Sequence, residues 1–342
     1  MKQLVILSGK GGTGKTTVAA SFIALAHTRA YADCDVDAPN LQLVACNSSY
    51  TWDIFERCKP TSINCGQQAI DNTQNRTQDH AAGAKLESAD FYGYQKAVKY
   101  DNYCTNCGKC EEICRFGAIK DGRVNPYECE GCGVCEAFCP SADEYGRKAI
   151  RLEDNISGKT MMYKNEGEVF STAELKMGNG ASGKLVTQVR KNLYNSINDQ
   201  AGNSTAVHCS SCSSDIVIID GSPGIGCPVI ASVTGVDMVL VVTEPTLSGM
   251  HDMERIVETA AKFGATCVVC INKFDVNLVN TQKIEEYCAL RGIQVAGRIP
   301  FDPQVVEAVN MGRPVVLIDN SPAKDSILEI WEAVSSILLK EN

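Results

Sequence analysis

Eight of the eighteen cysteines fall within 36 residues, and they repeat one spacing. Cys104, Cys107, Cys110 and Cys114 form a C-x2-C-x2-C-x3-C run, and Cys129, Cys132, Cys135 and Cys139 form a second run offset by 25 residues. Three cysteines at this spacing wrap one iron–sulfur cubane, while the fourth points away and ligates a neighbouring one. One [4Fe–4S] cluster is therefore expected on Cys104, Cys107, Cys110 and Cys139, and another on Cys129, Cys132, Cys135 and Cys114. Zinc is the alternative, because paired C-x2-C also makes four-cysteine zinc sites. Two complete runs favour the clusters. Cys139 is followed by Pro140 but Cys114 by Arg115, so the local hydrogen bonding of the two halves should differ. Two cubanes this close serve electron transfer.

The chain around this block alternates strands and helices. Residues 2–7 read as a short buried strand, Ser8–Gly14 as a glycine-rich turn, and Lys15–Arg29 as a helix. Ala32–Asn40 reads as a strand end passing into a loop. Ile216–Asp220, Met238–Thr243 and Thr266–Asn272 are near-continuous apolar runs, as interior strands of a parallel sheet require. Helical stretches are predicted near 248–263 and 281–291. The fold class is thus α/β: a mostly parallel sheet with helices on both faces, interrupted by a small α+β cysteine module. Predicted boundaries are 1–60 and 155–342 for the sheet domain, 61–95 for a polar, irregular connection, and 96–154 for the insertion.

Composition removes several function classes. A net charge of −9 and a pI of about 5.1 supply no Lys/Arg footprint for phosphate backbones, which argues against nucleic acid. No apolar run of 18 or more residues is present, so no membrane span is expected. Met1 leads straight into a strand, with no signal-peptide core, which predicts a cytoplasmic location. Cysteines in such a chain point to metal or redox chemistry in preference to disulfides.

The glycine turn carries the second chemical signal. Gly9, Lys10, Gly11, Gly12, Thr13, Gly14, Lys15 and Thr16 match G-x-x-x-x-G-K-[ST] between a strand and a helix, and Thr17 follows. Such glycines aim backbone N–H groups at phosphate oxygens, the lysine reaches the β/γ-phosphates and the threonine hydroxyl ligates Mg²⁺. Asp220 ends an apolar strand and precedes Gly-Ser-Pro-Gly-Ile-Gly-Cys-Pro, which fits an acid holding Mg²⁺ ahead of a switch loop. Asp33, Asp35 and Asp37 read either as a solvated loop or as a second switch. Asn272-Lys273-Phe274-Asp275 also reads as N-K-x-D, a guanine-recognition pattern.

Taken together, KGGTGKTT, DCDVDAPNL, both cysteine runs, SGKLVTQVRK, IIDGSPGIGCPV and VVTEPTLSG resemble the MinD-superfamily P-loop ATPases with an inserted ferredoxin domain. These are relatives of the Mrp-type cluster carriers and the nitrogenase iron protein, and the likeness spans nearly the whole chain. It implies ATP as the nucleotide, with Asn272 contacting adenine. It implies a homodimer that sandwiches nucleotide, with Lys10 as the signature lysine crossing to the partner's phosphates. It also implies that Asp35, or failing that Asp37, orients the attacking water. Cys227 occupies the offset at which the nitrogenase iron protein holds a shared cluster, yet the matching glycine loop 178–183 has no cysteine, so simple packing is the alternative. Gly183 and Lys184 are expected near the dimer or switch region.

The remaining features are blander. Cys209 and Cys212, preceded by His208, read as a loop thiol pair, with metal binding as the alternative. Cys267 and Cys270 should lie on opposite faces of a strand. The amphipathic stretch Lys324–Lys340 has an acidic polar side, which favours docking on the sheet over membrane binding. Three functions remain open. The first couples nucleotide state to electron transfer towards a redox partner. The second is a cluster carrier serving an apo-acceptor protein, and the third a nucleotide-gated positioning switch whose clusters are structural.

Overall fold

The computed structural model describes residues 1–45, 85–165, 168–202 and 216–340. Cys46, Cys58, Cys65, His208, Cys209 and Cys212 lie outside the described residues, as does most of the polar connection.

Strands β1 (Lys2–Leu7), β2 (Ala30–Asp33), β8 (Ile216–Asp220), β9 (Met238–Thr243), β10 (Thr266–Asn272) and β11 (Gln294–Ile299) pair in parallel. With β3 (Lys85–Lys99), β6 (Ile150–Asn165) and β7 (Glu168–Leu175) they make one sheet in the order β11-β10-β9-β1-β8-β2-β7-β6-β3. The period-two alternation sorts their apolar side chains to two cores. Leu4, Ile6, Ile218, Leu240 and Cys270 face the helices Lys15–Ala26 and Pro322–Leu338. Val5, Leu7, Ile219, Val241 and Ile271 face the helices Ser182–Gly202, Cys227–Val233, Leu247–Lys262 and Leu278–Arg291. Burial on both faces explains why these strands read as unbroken apolar runs.

The C-terminal helix buries Ala323, Ile327, Ile330, Val334 and Leu338, and its Trp331 ring lies 4.9 Å from Phe22 of the first helix. It docks on the sheet. No helix among the described residues is long and apolar enough to cross a membrane.

β3 and β6 form a long antiparallel ribbon running from Lys85↔Lys164 to Lys99↔Ile150. Its near half joins the sheet, because β6 pairs with β7 from Gly158 to Asn165. Residues 85–95, expected to be irregular, are therefore strand. Their polar sequence hid this because β3 is an edge strand whose side chains are mostly exposed, so no apolar stripe marks it. The cysteine module sits at the ribbon's far end.

Within the module the sequence repeat is also a backbone repeat. Asn106 and Gly108 (φ 57° and 73°) are echoed 25 residues on by Gly131 and Gly133 (φ 65° and 75°). Short helices follow at Lys109–Glu112 and Val134–Ala137. A tight hairpin pairs β4 (Ile119–Lys120) with β5 (Arg123–Val124) through Asp121-Gly122, both left-handed, as such a turn demands. The module's own core is small: Ala97, Ala118, Ile119, Ile150 and the cysteines Cys129 and Cys135.

Candidate nucleotide site and cysteine pockets

Sheet order brings the phosphate loop, the Asp220 strand and the Asp33 strand side by side. β1 pairs with β8, and β8 with β2, so Lys15, Asp220 and Asp33–Asp37 converge at the carboxyl ends of adjacent strands. Lys15 Nζ lies 2.7 Å from Asp220 Oδ1 and 3.6 Å from Asp35 Oδ2. The Thr16 hydroxyl donates to Asp220 Oδ2 at 2.7 Å and lies 3.0 Å from Asn40 Oδ1. Thr16 and Asp220, both expected to serve Mg²⁺, are thus in direct contact, and their oxygens suit a hard cation.

Burial alone would lower the Lys15 pKa. The carboxylates of Asp220, Asp35 and Asp33 outweigh it and hold the ammonium above its ordinary value. Burial pushes Asp33 up, and the nearby Asp220 adds to this. Burial also pushes Asp35 up, against the pull of Lys15.

The three acids at 33, 35 and 37 divide by environment. Asp33 is fully buried and its carboxylate accepts N–H bonds from Asp35, Asn40 and Leu41, each at 2.9 Å, so it shapes the loop. Asp35 is buried beside Lys15. Asp37 is exposed. Asn40 was not evident as a site residue in the sequence, since a lone Asn after a loop carries no spacing signal.

The glycines are set by geometry at two places. Gly14 has φ 90°, and a Cβ there would stand 2.4 Å from Asn272 Nδ2. A Cβ at Gly9 would overlap Asp252. Gly12 is also left-handed, and Gly11 opens to solvent. Asn272 donates to the Thr13 carbonyl at 2.8 Å, so the β10 end is fastened to the phosphate loop. Thr17 sits in the first turn of the helix that the loop opens. Lys10 is exposed and donates to Ser248 Oγ at the start of the Leu247–Lys262 helix.

Two pockets in the module separate the eight cysteines into the two expected quartets. A cavity of about 330 Å³ is lined by Cys104, Cys107, Cys110 and Cys139, with Lys99 and Asn106 at its edge. The second pocket is lined by Cys114, Cys129, Cys132 and Cys135. Cys114 and Cys139 are thereby exchanged between the two runs. Backbone N–H groups point at two of the sulfurs, Asn106 N at Cys104 Sγ and Ala97 N at Cys129 Sγ, each 3.4 Å away. Among the described residues no three His, Cys, Asp or Glu side chains close on a single point as one metal ion would require.

Other thiols separate plainly. Cys267 and Cys270 do lie on opposite faces of β10, and burial pushes both up to about 12. Cys34 and Cys288 are buried. Cys227 is exposed at the start of the Cys227–Val233 helix, and the glycine it touches is Gly183.

The model of the CobQ/CobB/MinD/ParA nucleotide binding domain matches residues 4–315. The chain belongs to this family. It is a P-loop ATPase of the MinD/ParA type. An uncharacterised protein of Methanocaldococcus jannaschii is 27% identical over 342 residues, covering 98% of this chain and 97% of the relative. An iron–sulfur cluster carrier protein of Pyrococcus horikoshii is 28% identical over 132 residues, covering 34% of this chain and 44% of that protein. The solved cell division ATPase MinD of Pyrococcus furiosus shares the fold, with a TM-score of 0.50 at 15% identity over 98% of this chain and 99% of that one.

Proposed function

We propose that this family member hydrolyses ATP and couples its nucleotide state to electron transfer through two [4Fe–4S] clusters. The observation that carries the reading is the sorting of eight cysteines into two pockets that each exchange one residue between the runs. That exchange is the ligand pattern of paired cubanes. The larger cavity and the N–H groups aimed at sulfur suit a cluster held by thiolates spread around it, whereas a single zinc ion needs its four thiols close together. Cys104, Cys107, Cys110 and Cys139 would hold one cluster; Cys114, Cys129, Cys132 and Cys135 would hold the other. Bound there, they supply one-electron transfer to and from a redox partner.

On the nucleotide side, Lys15 would exchange Asp220 Oδ1 for the β/γ-phosphates, and the freed carboxylate and the Thr16 hydroxyl on its Oδ2 would serve Mg²⁺. Asp35 holds the attacking water, being the switch acid beside Lys15, while exposed Asp37 is the less favoured choice. Asn272 faces the base. Adenine is favoured over guanine because Asp275, which a guanine site would need, already accepts the Phe301 N–H at 2.8 Å. Lys10 acts across a nucleotide-sandwiching homodimer. The boundaries that fit this reading place the ferredoxin-like module between the two strands of the ribbon.

The cluster-carrier reading draws on the Pyrococcus horikoshii relative, but that likeness spans only part of each chain. Complete ligand quartets favour clusters that stay. The test is anaerobic purification with iron analysis and electron paramagnetic resonance (EPR). About eight irons per chain and interacting [4Fe–4S]⁺ signals after dithionite are expected. Cys107→Ser and Cys132→Ser should each remove one of the two signals. One zinc and no iron would overturn the cluster assignment.

A further inference from the structure

Residues 175–190 touch the Asp35–Asp37 loop, the ribbon, the cysteine module and the helix behind Asp220. At one end the Leu175 N–H donates to the Val36 carbonyl at 2.8 Å, inside the Asp35–Asp37 switch. Next, Lys176 N–H donates to Ser157 on the ribbon at 2.8 Å, and Asn155 Nδ2 to Asn179 Oδ1 at 3.3 Å. Gly178 lies under the Tyr127 ring, two residues from Cys129, so closely that a Cβ there would stand 3.1 Å from the ring. Ala181 packs on Gly93 of β3, where an added Cβ would come within 2.4 Å. A Cβ on Gly183 would stand 3.0 Å from that of Cys227, in the loop behind Asp220. Further along the helix, buried Arg190 donates to the carbonyls of Ala231 and Thr234, both at 2.7 Å, and so fixes the far end of the Cys227–Val233 helix.

Lys184 is the side chain that closes this chain of contacts. Its Nζ donates to the Gly93 carbonyl at 3.1 Å and stands 4.2 Å from the Tyr94 ring centre. Gly93 interrupts the β3–β6 register, leaving a bulge at the point where the ribbon departs from the sheet towards the module. The Ser182–Gly202 helix therefore has its first turn wedged between the switch loop and the ribbon's bulge. Packed contacts at glycine leave no slack, so a shift of Cys227 displaces the helix start instead of being absorbed.

We propose that Lys184 is a positioning residue, and that through it and the 176–184 segment the nucleotide state of the switch loop reaches the cysteine module. The inference rests on the reading that both sites are used, and it adds the route between them. Movement begins when Lys15 leaves Asp220 for phosphate, which removes the ion pair at the root of the Gly221–Gly226 loop. It passes from Cys227 to Gly183, and from Lys184 to the ribbon bulge. Tyr127, resting on Gly178, carries it to the backbone beside Cys129.

Hydrogen–deuterium exchange on the full chain, with clusters intact and under anaerobic conditions, tests this with a non-hydrolysable ATP analogue and Mg²⁺. In the wild type the analogue should change exchange in residues 9–17, in 176–184 and in 125–129. Lys184→Ala should keep the first response and lose the last, and Lys184→Arg should restore it. Tyr127→Ala, at a 72% exposed side chain whose loss leaves the core untouched, should keep the first two and lose the third. A wild-type response confined to residues 9–17 and the switch loop would overturn the route while leaving the ATPase intact. An unchanged 125–129 response in both alanine variants would overturn it too. If residues 9–17 do not respond at all, the nucleotide reading itself fails.

Discussion

Lys15 is expected to stabilise the nucleotide-free protein, beyond the phosphate binding proposed for it. Its side chain is 5% exposed and that of Asp220 is 0% exposed, with 2.7 Å between them. At an effective dielectric of about 20, attraction is roughly 6 kcal/mol at that distance and roughly 5 kcal/mol for Asp35 at 3.6 Å. Replacing Lys15 with Met also removes the cost of burying the ammonium, which is several kcal/mol. The net loss of stability should be about 3–5 kcal/mol, as when one partner of a buried pair is removed. The sign with pH follows from Asp33 and Asp35. Both have folded pKa values above their ordinary ones, so their contribution is most favourable at low pH and is lost as pH rises through the folded values. Without Lys15 they rise further, so the Lys15→Met penalty should be largest near about pH 8 and shrink towards about pH 5. Urea unfolding without nucleotide, followed by circular dichroism and by Trp331 against Phe22, measures this. A penalty below about 1 kcal/mol that does not change with pH would refute the reasoning.

Gly14→Ala should weaken nucleotide binding by roughly 10- to 100-fold, because it strains a left-handed position and displaces Asn272; unchanged affinity in a fluorescent-ATP titration would contradict the site geometry. Asp302 accepts Gln304 N–H at 2.9 Å and Ser321 Oγ–H at 2.5 Å. Although burial acts to raise its pKa, these bonds hold it below the ordinary range. Asp302→Asn should then cost about 2 kcal/mol at neutral pH, and that cost should fade as pH drops through the folded value; thermal melts across pH check this. Removing the clusters with a chelator and oxidant should melt the module, whose own core is small, while Trp331 still reports a folded sheet. Lys10→Ala should retain ATP binding and lose hydrolysis, read by comparing nucleotide titration with phosphate release.

Much of this architecture was legible because the signals were local. The runs 216–220, 238–243 and 266–272 became strands β8, β9 and β10 with the same limits, since burial on both faces leaves an unmistakable apolar run. The phosphate loop was legible for the opposite reason: it must be glycine where φ is positive or a neighbour is in contact. What the sequence concealed was long-range. β3 is polar because it edges the sheet, and its strand character depends on β6, some sixty residues away in sequence. Asn40, Ser248 and Lys184 lie inside motif stretches, but their contacts exist only where the fold brings Thr16, Lys10 and Gly93 to them. The acids at 33, 35 and 37 were ranked by resemblance alone; the fold separates them by the N–H groups on Asp33, by Lys15 beside Asp35 and by the exposure of Asp37.

The central claim is that nucleotide chemistry and cluster redox state are coupled. Its most direct test is ATP turnover by anaerobically purified protein, first with clusters oxidised and then after dithionite, with an EPR spectrum of each sample. The account predicts that reduction produces the spectrum of two interacting [4Fe–4S]⁺ clusters and changes the rate of hydrolysis. Clusters that reduce normally while turnover stays the same in both states would contradict it.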